Sequence, residues 1–339
     1  MFGPVSRGQL GRARLAVRTA RGPYGEDVLP SGLSMLWETV EAQDALRDRF
    51  GFDDLDAVAQ WLIATLRDGW AITAVEVRRV VLSDQNAIAW ASTDRGALVV
   101  KWSRAEALFP VLEATTVVLG TLGTRGLPVA APLPAVGGRV RLVRTGPRGP
   151  LSVAVLPELS GDWLDITDES AVRDAGACLA RLHEALADCS GDRLPRGART
   201  SASPTDIRHW VTAEGHRLPD DVARRLDELL TDLPELDDRP QLVHQDYRAA
   251  NLLVRDGRVV GVLDFDELGI GRRVHDLAHA SVYLATRFTD WGPTPASIQQ
   301  QLRTGYESVR PLGKAERHWW DVLVLWQGLR AFPSATAGR

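Results

Sequence analysis

One stretch of the 339-residue sequence gathers side chains that can do chemistry together: Leu242-Val243-His244-Gln245-Asp246-Tyr247-Arg248-Ala249-Ala250-Asn251. Downstream of it stands Asp264-Phe265-Asp266. Between the two, the apolar runs 251–255 and 258–263 flank Asp256-Gly257, the strongest short signal for a β-hairpin. The loop before the hairpin presents a carboxylate, Asp246, and an amide oxygen, Asn251. The hairpin then returns the chain and sets a second carboxylate, Asp264, beside them. Hard oxygen donors of this kind suit Mg²⁺, which takes one or two carboxylates and completes its shell with water and substrate phosphates. His-x-Asp-x-x-x-x-Asn alone is a weak pattern. Joined to the hairpin and to Asp-Phe-Asp at its exit, it is a specific one.

A second candidate comes from composition. Of 40 basic residues only Lys101 and Lys314 are lysines, and the rest are arginines. Lys101 lies inside the apolar run Ala97-Leu98-Val99-Val100-Lys101-Trp102, where a compact ammonium must be wanted in place of arginine's rigid fork. Lys314 has no such context and reads as a surface residue. The 44 acidic residues leave a net charge of −4, against a general nucleic-acid binder. Hydrophobic content of 45% and charged content of 25% are those of a globular protein with a sizeable core. Cys178 and Cys189 form no Cys-x-x-Cys and read as reduced thiols, Cys178 on a helix core face. Residues 1–30 carry Arg7, Arg12, Arg14, Arg18 and Arg21 without an apolar segment, so they read as a solvated basic arm and not a secretory signal. No apolar run is expected to span a bilayer. A cytoplasmic chain without membrane or nucleic-acid partners is the expectation.

The elements that must position these residues fall into two halves. Residues 31–156 read as leading helices, one of them over 55–66 behind the capping acids Asp53 and Asp54, followed by a β-rich region. Its strands are 75–82, 87–92, 97–102, 139–143 and 151–156, with a helix over 104–122. Residues 157–339 read as helical, over 169–187, 205–214, 220–231, 275–287, 295–308 and 315–330, interrupted by the β island 241–266. A β-rich half joined to a helical half predicts an α+β fold of two lobes, with the ligand site in the cleft between them.

At His244–Asn251, at Asp264–Asp266 and in the downstream Val274-His275-Asp276-Leu277-Ala278, the sequence resembles the aminoglycoside phosphotransferases. These are small-molecule kinases of the protein-kinase-like fold, and the resemblance covers about 75–330. It implies a bilobal kinase-like architecture, ATP or GTP as phosphoryl donor, and Mg²⁺. It implies that Asp246 accepts or orients the acceptor's hydroxyl proton, that Asn251 and Asp264 bind the metal, and that Asp276 braces the catalytic loop. Lys101 then matches the lysine that pairs with the α- and β-phosphates, and its carboxylate partner should lie on the next helix. Glu113 is favoured over Glu106, which is too near the strand to fold back. Ser83 and Asn86 tip the phosphate-covering hairpin in place of a glycine-rich loop. Glu158 and Leu159 stand at the adenine-contacting connector. Gln245 departs from the glycine common in small-molecule kinases. Arg248 either stabilises the phosphoryl oxygens or bridges Asp246 or Asp266, and Asp266 contacts either the metal's surroundings or the substrate.

No activation segment follows Asp266, which disfavours a protein kinase. Asp264, Asp266, Glu267 and Asp290 offer acidity for a cationic acceptor, but Arg272 and Arg273 intervene. Trp291 and Trp320 could wall a ring-bearing substrate, whereas Trp319 and Trp326 read as helix core. Tyr306–Leu312 resembles a stretch of homoserine- and choline-kinase-like members. The expected activity is transfer of the γ-phosphoryl to a hydroxyl of an antibiotic or other secondary metabolite. The alternatives are a metabolic kinase of an amino alcohol or sugar, or an inactive nucleotide-binding scaffold.

Overall fold

Alternating apolar and polar residues between Ala74 and Ser103 build three successive antiparallel strands, and these organise the first lobe. The computed structural model describes residues 32–36, 38–192, 194, 202–214, 218–287 and 291–331, so the basic arm 1–30 and Asp290 lie outside the described residues. The first lobe runs β1 (Gly32–Met35), α1 (Ala42–Ala45, continued as a π turn to Phe50), α2 (Leu55–Trp70), β2 (Ala74–Leu82), β3 (Asn86–Thr93), β4 (Gly96–Ser103), α3 (Phe109–Thr124), β5 (Leu142–Gly146) and β6 (Gly149–Pro157). Its sheet has the order β1-β2-β3-β4-β6-β5, antiparallel except for β1 on β2. Asp54 caps α2 by accepting the Ala57 N–H at 2.8 Å, so of the two acids ahead of this helix it is the second that caps. One face of α2 buries Val58, Leu62, Leu66 and Trp70 against Trp102 and the inner side chains of the sheet.

The second lobe runs β7 (Asp162–Trp163), α4 (Glu169–Ala187), α5 (Pro204–Glu214), α6 (Asp220–Thr231), β8 (Gln241–Val243), β9 (Leu252–Arg255), β10 (Arg258–Val262), β11 (Gly269–Gly271), α7 (Arg273–Tyr283), α8 (Ala296–Val309) and α9 (Lys314–Ala331). Its core is separate from the first and lies among α4, α7, α8 and α9. The end of α3 crosses the expected division at 156/157, because Val118, Leu122 and Val129 join this second core. The Pro128 carbonyl accepts the Val262 N–H at 2.7 Å, which ties that crossing to the β9–β10 hairpin.

Four boundaries differ from the sequence reading, each for a local reason. The strand expected at 139–143 forms at 142–146, because Arg141 turns inward. Its Nε donates to Ser152 Oγ at 2.7 Å and its Nη1 to Thr116 Oγ1 at 3.1 Å. The breaker-rich Thr145–Pro150 becomes the hairpin tip, Gly146 pairing with Gly149 at φ +127°. Helix α3 starts at Phe109 because Pro110 belongs in a first helical turn, and a 3₁₀ turn fills Glu106–Leu108. Helix α7 stops at Tyr283, where Thr294 Oγ1 takes the Ala285 N–H and donates to the Val282 carbonyl, both at 2.9 Å. One expectation about apolar length is also corrected: Glu106–Thr124 is long and apolar enough by composition to cross a membrane. Here it packs on the second core, burying Leu112, Thr115 and Thr116 besides Val118 and Leu122.

Helices α4 and α8 touch through glycines. A Cβ on Gly305 would lie 1.9 Å from the Arg173 carbonyl oxygen, and one on Gly176 1.9 Å from that of Leu302. Backbone cannot yield as a side chain can, so Gly305→Ala should destabilise the second lobe by about 3 kcal/mol. Denaturant unfolding followed by tryptophan fluorescence checks this, and an unchanged midpoint would contradict the packing.

Candidate active site

The catalytic-type residues are brought together by a short ribbon. Strand β8 pairs antiparallel with β11, Val243 opposite Gly269, so the two ends of the intervening loop and hairpin lie side by side. The Asn251 carbonyl accepts the Leu263 N–H at 2.8 Å, which sets Asp264 next to the loop of Asp246. Two residues here take left-handed backbone without being glycine: Gln245 at φ +67° and Asp264 at φ +58°. Such residues cost about 1 kcal/mol or more each and persist only where the surroundings hold them. At Gln245 the holder is Asp276. Its fully buried carboxylate accepts the Gln245 N–H at 2.7 Å and the His244 N–H at 3.1 Å, and Gln245 Nε2 donates to the Glu267 carbonyl at 2.9 Å.

His244 registers the two loops. The Asp246 N–H donates to His244 Nδ1 at 3.2 Å, so the ring proton sits on Nε2 and is given to the Leu263 carbonyl at 3.0 Å. Phe265 packs on the same ring with centroids 4.6 Å apart. The Asp246 carboxylate is gripped from both sides, by Arg248 Nε at 2.9 Å on Oδ1 and by Asn251 Nδ2 at 2.7 Å on Oδ2. Burial pushes the Asp246 carboxyl above its ordinary value, and Asp264 adds to this against the opposing pull of Arg248. A carboxylate so raised is a better proton acceptor than a solvated one. Arg248 also bridges Asp246 to Trp291, its guanidinium carbon 5.7 Å from the exposed indole.

Lys101 projects from β4 across to the second lobe. Its Nζ stands 3.3 Å from Asp264 Oδ1 and 3.3 Å from both carboxylate oxygens of Asp266. Burial alone would lower the ammonium's pKa, but Asp266 and Asp264 outweigh it and raise it. Burial would likewise raise Asp264, yet Lys101 holds it below the ordinary carboxylate value. The pairing expected with Glu113 is not formed. Glu113 Oε1 accepts from Arg139 Nη2 at 2.8 Å, and the buried Arg141 sits between α3 and β6. Glu106, the alternative partner, lies in the 3₁₀ turn ahead of α3.

The remaining candidates scatter. The Asn86 carbonyl accepts from Ser83 N–H at 2.8 Å and Ser83 Oγ at 3.2 Å, closing the β2–β3 tip. Glu158 donates its N–H to the Ala97 carbonyl at 3.0 Å and its carboxylate accepts from Arg78, so its amide is engaged within the lobe; Leu159 follows it in the connector. Glu267 is half-buried beside Asp266, and Asp290 lies outside the described residues. Trp320 is corrected: it is buried in the second core, its Nε1 3.2 Å from Ser281 Oγ and Arg303 stacked on its ring, so it walls no cleft. Trp319 and Trp326 are core as read.

Sequence reasoning missed His183 and, as a site residue, Tyr306. Buried His183 places Nε2 2.9 Å from Asp276 Oδ2 and Nδ1 2.9 Å from the Tyr306 hydroxyl, extending the support of the loop to α4 and α8. The available signal was a histidine on the apolar stripe of 169–187, four residues after Leu179.

A β-rich lobe and a helical lobe with this constellation at their junction define a kinase-like phosphotransferase fold. The chain belongs to the phosphotransferase enzyme family, whose profile matches residues 76–312. It is 29% identical over 211 residues to a homoserine kinase of Gluconacetobacter diazotrophicus, covering 61% of this chain and 63% of that protein, under two thirds of its length. Among solved structures, a microcompartment-associated aminopropanol kinase superposes with a TM-score of 0.56 at 22% identity, over 83% of this chain and 89% of the other. A spectinomycin phosphotransferase, solved with ADP and spectinomycin, gives 0.52 at 12% identity, over 81% and 88%.

Proposed function

We propose that this chain is an Mg²⁺-dependent kinase that moves the γ-phosphoryl group of ATP or GTP to a hydroxyl of a small molecule. The observation that carries the reading is the clamp on Asp246: Arg248 and Asn251 aim a partly buried, raised carboxylate beside Asp264 and Lys101. The acceptor's hydroxyl gives its proton to Asp246 as its oxygen bonds to the γ-phosphorus, and the bond to the β-phosphate oxygen breaks to release the diphosphate. Lys101 holds the donor's phosphates, and Arg248 faces the transferred group.

The donor set suits Mg²⁺. Asn251 Nδ2 is spent on Asp246, which leaves the amide oxygen, and Asp264 gives only Oδ1 to Lys101. Among the described residues no cluster of three or more histidine, cysteine or acidic side chains could enclose a metal by itself, in keeping with an ion that takes most of its ligands from phosphates and water. Mg²⁺ so held would neutralise charge developing on the phosphoryl oxygens. A cytoplasmic location goes with the nucleotide supply this reading needs.

Of the two acceptor classes, a compact amino alcohol is favoured over a bulky antibiotic. Burial of Trp320 reduces the aromatic wall to Trp291, which Arg248 approaches, and the similarity to homoserine kinases supports a compact acceptor. The test is incubation with Mg–ATP or Mg–GTP and a panel of amino alcohols, sugars and hydroxylated antibiotics, read by mass spectrometry. One phosphoryl group gained by an amino alcohol supports the reading. Gain by an antibiotic alone reverses the acceptor order, and no gain in any compound, with no nucleotide hydrolysis, leaves the inactive scaffold.

Lys101→Arg should lower turnover about a hundredfold with the fold intact, because a planar fork cannot occupy the position of a point charge. Steady-state kinetics beside a thermal melt checks this, and full activity would remove Lys101 from the site.

A further inference from the structure

Lys101 and its acidic partners come from different lobes, and the side of Lys101 facing α3 is occupied by positive charge. Resting on the phosphotransferase reading, we propose that Asp266 is the positioning residue for Lys101, replacing a carboxylate on α3, and that the Lys101–Asp266 pair fastens the two lobes across the nucleotide site.

Three features carry this. Asp266 meets the ammonium with both oxygens at 3.3 Å, whereas Asp264 uses one, so Asp264 keeps an oxygen for other duty. Glu113, the α3 carboxylate at the right distance along the helix, is diverted to Arg139 at 2.8 Å. Arg141, only 7% exposed, is fixed between Thr116 of α3 and Ser152 of β6. Ser152 pairs with Ser103 and Ala154 with Lys101, so this guanidinium is anchored two residues along β6 from the partner of the lysine. Two like charges there repel, and an ammonium on β4 is turned away from α3 and toward the hairpin exit. The position of α3 then has no direct hold on the phosphate-binding lysine; the Asp-Phe-Asp segment has it, and Phe265 anchors that segment on His244 of the catalytic loop.

A double-mutant cycle on Mg–ATP affinity tests the assignment, because residues acting as one unit lose affinity non-additively. Lys101→Met should weaken binding roughly twentyfold and Asp266→Asn roughly fivefold, while the double variant binds within about twofold of Lys101→Met alone. Asp266→Glu, which keeps the charge, should stay within about threefold of the unsubstituted protein and covers the case in which the asparagine variant folds poorly. Losses that multiply in the double variant overturn the proposal. So does an Asp266→Asn defect that vanishes when free Mg²⁺ is raised, since that assigns Asp266 to the metal. A larger loss from Glu113→Gln than from Asp266→Asn returns the role to α3 and also overturns it. Failure of the unsubstituted protein to bind Mg–ATP is a different result and rejects the phosphotransferase reading itself.

Discussion

Asp246→Asn should lower kcat about a thousandfold while moving the KM for nucleotide by less than about threefold. The substitution preserves shape, and the amide oxygen can still accept from Arg248 Nε, which now lies 2.9 Å from Asp246 Oδ1. What is lost is the ability to take a proton from the acceptor as the new bond to phosphorus forms. General base catalysis of that kind is worth about 10²–10⁴ in rate, so the loss belongs in turnover. Nucleotide affinity should survive, because Lys101 and Asp264 are untouched and Asn251, which loses its bond to Oδ2, keeps the one to the main-chain carbonyl of residue 246 at 2.8 Å. Initial rates against both substrates settle the split. Retention of more than about a tenth of the activity would take Asp246 out of the proton path.

The second large effect is on the folded state. Asp276 accepts the His183 Nε2 proton at 2.9 Å, the His244 N–H at 3.1 Å and the Gln245 N–H at 2.7 Å, with no solvent to replace it. Asp276→Ala strands all three donors, and each hydrogen bond lost to a buried charged acceptor costs about 1.5–3 kcal/mol. A fall in melting midpoint of about 10 °C is expected. Activity should fall at temperatures where the protein remains folded, because Gln245 loses what holds it at positive φ. An unchanged midpoint would mean that the loop supports itself.

The same network has a signed pH dependence. Burial holds His183 below its ordinary 6.5 despite Asp276. Burial would raise Asp276, but the hydrogen bond from His183 outweighs it and the carboxyl lies below its ordinary 3.8. Both folded values are depressed, so the unfolded chain takes up protons that the folded one refuses as pH falls. The stabilisation is complete above about pH 6.5 and is lost on acidification, first through His183 and later through Asp276. The stability gap between the unsubstituted protein and His183→Gln should therefore narrow between pH 7.5 and 5.5. A widening gap would show that the imidazole is charged in the folded state.

Much of the site could be read in advance because its logic is local. His244, Asp246, Asn251 and Asp264 are placed by one loop and one Asp-Gly hairpin, whose register follows from spacing and turn chemistry. Helices α2 and α4 were readable for the same reason, their apolar stripes and capping acids lying within a few turns. The partner of Lys101 was not. Choosing between Glu113 and Asp266 requires knowing that Arg139 reaches one and that Arg141 is buried beside α3, and these are contacts between segments far apart in sequence. Trp320 misled for a related reason, since an aromatic on α9 faces core or cleft according to where α7 and α8 pack.

By itself the sequence determined the lobed α+β architecture, the family, and which residues gather around Asp246, because hydrophobic period and turn residues act over short distances. Only the tertiary structure decided which charges face each other: Lys101 with Asp266, Glu113 with Arg139, and Asp276 with His183. Coulomb energy and burial depend on separation in space, and chain spacing does not specify that separation once the elements have packed.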